Sequence, residues 1–274
     1  MTSSFFEKMQ LSIPRYIMVF DFETTCLPKN AWTDYSLTPT NNMKTGHVIP
    51  ASNEADYPHA VQLSYILYDT EKNTAKIFDE IVRLTEGVII SPESEAIHHI
   101  SLEKTQGKTR RVLNRYTKHY RKQFNLTIDE IIRKFMSDFR KADIVVSHNI
   151  KFDRNILLVE MDRLRQNKPI FNNYIQEIYT NKKMYCTAKN GAFVCRIAAL
   201  NRFGKQYYKM PKLTVLYTTL FGKENMLDVT KLHNALYDVV ICLRCFIKMR
   251  YDIDIYGKNT KITSLFDNII VRTK

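Results

Sequence analysis

Asp21 and Glu23 stand two residues apart in the run Tyr16-Ile17-Met18-Val19-Phe20-Asp21-Phe22-Glu23. The run is short and rich in β-formers, which predicts a buried strand. Side chains alternate faces along a strand, so both carboxylates project to one side. Two neighbouring anions repel, and a strand end tolerates such a pair when a divalent cation lies between them; hard oxygen ligands suit Mg²⁺ or Mn²⁺. A lone D-x-E equally describes a strand end emerging into solvent. Two further acids shift that balance. Asp153 follows a short apolar strand and the turn His148-Asn149, where loops and helix starts present side chains to a site. Asp238 lies early in an apolar helix, five residues after His233. Five residues along one helix would set two side chains about 140° apart. His233 is therefore expected to precede the helix and turn towards the acids. Spacing alone leaves this imidazole as readily a salt-bridge partner as a catalytic base.

The elements that must position these residues can be read from periodicity. Val61–Asp69 and Thr74–Arg83 are two more predicted strands around the polar stretch 69–73, an antiparallel hairpin that makes a meander with the first strand. Thr127-Ile128-Asp129-Glu130 fits a capping box, and Ile128, Ile131, Ile132, Phe135, Met136 and Phe139 recur at helical spacing. A strand over Asp143–Ser147, a loop over 148–152 and a helix from near Asp153 follow, and a last helix is expected over about Asn234–Met249. A meander followed by α/β units predicts an α/β mixed sheet flanked by helices. Without an internal repeat or a linker, the chain is expected to be one domain, 1–274, with its core over about 15–251. Residues 29–59, with Asn41-Asn42, Gly46 and three prolines, read as an insertion. A second, irregular insertion spans 104–124. It carries Lys108, Arg110, Arg111 and Arg115 with Tyr116 and Tyr120 interleaved, which suits either a solvated basic surface or contact with nucleic acid. The C-terminal extension, 252–274, is apolar enough to pack back on the domain or to dock a partner.

Composition bounds the class. The 274 residues are 45% hydrophobic and 25% charged, ordinary globular usage that excludes disorder, collagen and coiled coil. No apolar run approaches the roughly 20 residues that cross a bilayer, and the N-terminus lacks a basic stretch followed by an apolar segment. A soluble, intracellular protein that is not secreted and has no membrane partner is expected. Forty-one Lys and Arg against 28 Asp and Glu give +13, a bias that attracts polyanions, although an AT-rich genome also enriches lysine. The five cysteines are odd in number and scattered, which suits reduced thiols. Cys242 and Cys245 form a CxxC without a second ligand pair, so core packing is expected there.

Phe20-Asp21-Phe22-Glu23-Thr24-Thr25, Ser147-His148-Asn149-Ile150-Lys151-Phe152-Asp153 and His233-Asn234-Ala235-Leu236-Tyr237-Asp238 resemble, in that order, the three motifs of the DnaQ-like (DEDDh) 3'-5' exonucleases. Ile97-His98-His99-Ile100-Ser101 is similar to the family's I-H-G-I-T, with His99 in place of its glycine, and Cys26 replaces the glycine that usually follows D-x-E-T-T. The resemblance implies a ribonuclease-H-like fold in which Asp21, Glu23, Asp153 and Asp238 hold two Mg²⁺ or Mn²⁺ ions and His233 is the general base. It further implies that Thr24, Thr25, Leu27, His98, Asn149 and Phe152 bind substrate. The implied substrate is the 3' end of single-stranded DNA or RNA, shortened to nucleoside monophosphates. A nucleic-acid-binding or polymerase-associated tethering module is the alternative from another class, a purely structural cation site is a third, and a homodimer partner also stays open.

Overall fold

The computed structural model describes residues 12–29, 54–106, 110–113, 120–123, 125–180, 183–222 and 226–271. The chain enters through β1 (Tyr16–Thr24), which is central in a five-stranded sheet. β2 (Ala60–Asp69) pairs antiparallel with β1 from Tyr16↔Asp69 to Thr24↔Ala60, and β3 (Thr74–Ile81) pairs antiparallel with β2. This is the expected meander. Its hairpin turn ends at Asn73, whose φ of 51° is left-handed backbone that asparagine tolerates.

α1 (Pro92–His98) and α2 (Leu102–Gln106) follow. The basic segment expected to be irregular instead contains a two-stranded antiparallel ribbon, β4 (Arg110–Leu113) with β5 (Tyr120–Gln123). Pairing across a short connection satisfies backbone groups that an irregular segment would leave to water. Arg110 and Arg111 lie on β4; Lys108 and Arg115 fall outside the described residues, as do 30–53 of the first insertion.

α3 (Ile128–Phe139) starts on the expected capping box: Thr127 Oγ1 accepts from the Glu130 N–H, and the Glu130 carboxylate accepts from the Thr127 N–H at 2.8 Å. β6 (Ile144–Ser147) then runs parallel to β1, with Val19 opposite Val146. α4 spans Ile150–Arg165, three residues earlier than the expected start near Asp153. Asn149 is the reason. Its left-handed backbone (φ 70°) breaks the strand direction in a single residue, so the helix begins directly afterwards and Asp153 falls within its first turn.

α5 (Ile170–Thr180) leads to β7 (Lys183–Cys186), which is parallel to β6 and closes the order β3-β2-β1-β6-β7. Beyond it come α6 (Thr187–Cys195), a small hairpin of β8 (Ala198–Leu200) and β9 (Gln206–Tyr208), and α7 (Leu213–Phe221). α8 runs over Ala235–Tyr251, and it is not the last helix, because α9 (Thr260–Ile269) follows. No helix among the described residues is long and apolar enough to cross a membrane.

The period of two on β1 sorts the core into two layers. Met18, Phe20 and Phe22 pack with α3, α4 and α5, whereas Ile17 and Val19 pack with α7, α8 and α9. Asp21 and Glu23 continue the second row. Cys242 and Cys245 are free, buried thiols of the α8 layer, as expected.

The C-terminal stretch packs back on this layer, with Ile262, Phe266 and Ile269 buried. Arg244 of α8 is the anchor. Its guanidinium donates to both Asp254 oxygens at 2.8 and 2.7 Å and to the Tyr217 hydroxyl at 2.7 Å, and it lies 4.1 Å from the Phe221 ring centroid and 4.9 Å from that of Phe266. Removing Arg244 leaves the buried Tyr217 hydroxyl without this partner, whereas Asp254, with a side chain 40% exposed, can turn to water. Arg244→Ala is therefore expected to cost about 1–3 kcal/mol, read as a lower urea midpoint at unchanged slope; an unaltered midpoint would show that the aromatic contacts alone hold α9.

Candidate active site

Strand alternation carries Asp21 and Glu23 onto the face where α8 packs. Asn234 caps that helix by accepting from the Leu236 N–H at 3.1 Å, which places Asp238 in its first turn. Three carboxylates thus meet: Asp21, Glu23 and Asp238 each offer an oxygen within 4.8 Å of the others. Asp153 approaches from the opposite layer and is fully buried. Its carboxylate accepts the Phe22 N–H at 3.0 Å and a short hydrogen bond from the Ser147 hydroxyl. Ser147 was not singled out by the sequence; its position beside the H-N-x-x-F-D run was the one available signal.

The electrostatics follow from this crowding. Burial, and then Asp153, Asp238 and Glu23, push the Asp21 carboxyl far above the usual range. Burial with Asp238 and Asp153 lifts Glu23 to about 9. Burial raises Asp153 to about 7 against the pull of its Ser147 and Phe22 hydrogen bonds, and raises Asp238 to about 7 against a hydrogen bond from the His233 backbone N–H. Among the described residues no lysine or arginine pairs with any of the four. An all-oxygen set of crowded carboxyls with no compensating cation, which ionise readily only when positive charge arrives, is the donor chemistry that a hard divalent cation takes.

His233 precedes α8, as expected, in left-handed backbone (φ 60°). It is exposed and lines a cleft of about 250 Å³ with Gln62, His98, Thr230, Lys231 and Tyr237. His98 is buried at the foot of this cleft. Its Nδ1 accepts the Ile100 N–H at 3.0 Å, which leaves Nε2–H to donate to the Thr24 carbonyl at 3.2 Å, and burial lowers its pKa. Next to it, His99 adopts φ 57°, the conformation that a glycine would favour there.

The end of β1 is tied down by its own threonines. A register shift between Glu23 and Thr24 turns the chain. Thr24 Oγ1 donates to the Cys26 carbonyl at 2.8 Å, and Thr25 Oγ1 accepts the His59 N–H at 3.0 Å. Both hydroxyls are thus engaged within the chain. Leu27 just beyond is 75% exposed. Asn149 is exposed without a side-chain cap bond, and Phe152 is part-buried against the α3–α4–α5 layer. His148, the first residue of that motif after Ser147, is part-buried: Nε2–H donates to the Pro211 carbonyl at 3.0 Å while Nδ1 faces Thr187 Oγ1 at 3.0 Å, and desolvation pushes its pKa down to about 4. It is a neutral strut between β6, α6 and the segment before α7.

No family model and no curated protein matches the chain. Solved structures do. The nuclease domain of 3'hExo, a DEDDh family member bound to rAMP, superposes with a TM-score of 0.52 and 16% identity over 88% of this chain and 94% of that one. This chain has the ribonuclease-H-like nuclease fold. A 3'-exonuclease described in 3'-end specific recognition of a histone mRNA stem-loop shares the nuclease fold as well, with a TM-score of 0.52 and 15% identity over 88% of this chain and 84% of that one. Within this nuclease fold the D-x-E strand is the central β1, and the acids of α4 and α8 reach its end from opposite layers.

Proposed function

We propose that the protein is a DEDDh-type, metal-dependent 3'-5' exonuclease that removes nucleoside monophosphates from the 3' end of single-stranded nucleic acid. The observation that carries this reading is the convergence of Asp21, Glu23 and Asp238, with Asp153 beside them, in the absence of a pairing cation among the described residues.

The four acids would hold two Mg²⁺ or Mn²⁺ ions. When bound, such ions would polarise a scissile phosphate, lower the pKa of a water so that a base can deprotonate it for attack, and stabilise the leaving 3'-oxygen. Asp153 is fixed in orientation by the Phe22 amide and the Ser147 hydroxyl, so its carboxylate does not have to reorganise on loading. The His233 imidazole, in the cleft beside the helix that carries Asp238, would take the proton of the attacking water. Exposed Leu27 and Asn149 contact the terminal nucleotide, while Thr24, Thr25, His98 and Phe152 hold the walls of its subsite through the bonds and packing described above. Basic residues of 104–124 add phosphate contacts.

The test is a gel assay of 5'-labelled single-stranded DNA and RNA of one sequence with Mg²⁺, Mn²⁺ or EDTA. A ladder shortening from the 3' end only with metal supports the exonuclease, and the faster strand names the sugar. Binding without shortening under every metal would leave a tethering module.

His233 has its own test. His233→Ala should lower the rate on the order of 10²–10⁴-fold, as removal of a general base does, while Mg²⁺ still raises the melting temperature. His233→Asn controls for the backbone, since asparagine tolerates the left-handed conformation. Wild-type turnover in both variants would return His233 to a structural role.

A further inference from the structure

Between Glu177 and Glu224 the sequence contains no acidic residue. Within it, the 17 residues from Arg196 to Lys212 carry five cations, Arg196, Arg202, Lys205, Lys209 and Lys212, and fold as the β8–β9 hairpin. The hairpin hides little of its apolar surface. Phe203 at its tip is 78% exposed, and Tyr207 and Tyr208 are 48% and 45% exposed. The register explains why: Tyr208 pairs with Ala198 and Tyr207 with Ala199, so each ring has only a methyl group across the ladder. Isolated exposed aromatics are ordinary, but three on one hairpin among unpaired positive charge are not.

The hairpin is built to hold its shape. Asn201 Oδ1 accepts the Phe203 and Lys205 N–H groups, both at 2.9 Å, and Gly204 takes the turn at φ 74°. Arg202 lies 4.6 Å from the centroid of Phe203, which fixes the ring and adds a planar cation. The hairpin is also tied to the site. Pro211, three residues after β9, accepts from His148, and Ser147 before it holds Asp153.

We infer that the β8–β9 hairpin is a platform for the single strand upstream of the 3' end, its bases stacking on Phe203 at the tip and on Tyr207, with Tyr208, the next residue of β9, facing the other side, and its phosphates neutralised by Arg202, Lys205 and Lys209. This deepens the nuclease reading and rests on it for the identity of the strand. The charge complementarity decides the occupant: a hairpin that with its flanks carries five cations and no acid in its own stretch attracts a polyanion, and aromatic faces take bases of any sequence. Both contacts are indifferent to the sugar.

The experiment is fluorescence anisotropy of the full chain in EDTA, where no strand is cut, with oligo-U and oligo-dT of about 30 nucleotides and of about four. Phe203→Ala with Tyr207→Ala should weaken binding of the long strands on the order of tenfold or more. Lys205→Gln with Lys209→Gln should flatten the dependence of log K on log salt by about 1.4, or about 0.7 for each lost contact. The short strands, which offer fewer stacking and phosphate contacts at once, should bind wild type more weakly than the long ones. All these residues are exposed, so unchanged melting temperatures verify the fold. Undiminished long-strand affinity with an undiminished salt slope overturns the platform and gives the patch to a protein partner. Hairpin effects in a chain that never shortens a strand would uphold the platform while sinking the nuclease reading, so the two fail separately.

Discussion

Asp153→Asn should reduce metal-dependent strand shortening at least about 10³-fold, beyond the roughly 10–100-fold that changes outside the ligand set cost. The substitution is isosteric. Its amide oxygen can still accept the Phe22 N–H and its NH₂ can turn to the Ser147 oxygen, so both buried partners stay satisfied. What it removes is one negative charge from a cluster that is already crowded with them. The melting temperature should therefore hold or rise, whereas Asp153→Ala, which leaves the Phe22 amide and the Ser147 hydroxyl unpartnered, should cost about 1–3 kcal/mol. The contrast separates chemistry from folding: a slow Asn variant with wild-type stability assigns Asp153 to catalysis. Cleavage by the Asn variant at more than about a tenth of the wild-type rate would remove it from the ligand set.

The second large effect is on stability. Without metal, the protein should lose several kcal/mol as pH rises from about 5.5 to 9, and millimolar Mg²⁺ should restore that loss. The sign follows from linkage. Asp153 and Asp238 sit at about 7 and Glu23 at about 9 in the folded chain, against about 3.9 and 4.3 when unfolded. Groups raised by folding hold extra protons in the native state, so their contribution is full below about pH 4 and is lost as pH climbs through the folded values. A shift of about three units corresponds to on the order of 4 kcal/mol, and mutual repulsion makes the acids less than additive. Paired carboxylates such as Asp138 and Glu160, whose pKa values are lowered, act in the opposite direction near pH 4, which is why the window opens at about 5.5. Several kcal/mol in a chain of this size is on the order of 10 °C in melting temperature. The Mg²⁺ effect should be large at pH 9 and small at pH 5.5, where protons compete for the same oxygens. A melting temperature that stays flat or rises with pH in EDTA would contradict the crowding of these acids.

Much of this architecture is local and therefore legible in the chain alone. A period of two puts Asp21 and Glu23 on one face before any fold is known, and the Thr127–Glu130 capping box starts α3 with groups three residues apart. The meander follows from two alternating runs and a polar turn, and three short motifs carry the family resemblance. Where one residue's backbone decided the outcome, periodicity misplaced the boundary: a left-handed Asn149 starts α4 at Ile150. The paired backbone of β4 and β5 left no apolar alternation to read. The acid-free run of residues 178–223 is visible in the sequence, but the exposure of its aromatics and its tie through His148 to Ser147 are not.

The sequence by itself determined which residues could bind metal and which two share a strand face. Only the tertiary structure decided that Asp238 joins them, because α8 crosses β1 on the face of Ile17 and Val19. It likewise decided that Asp153 is aimed by the Phe22 amide, 131 residues away in the chain, and that the C-terminal helix is clasped by Arg244. Backbone geometry sets neighbours two to four residues apart, whereas convergence across a sheet depends on which layers the connections deliver to each face.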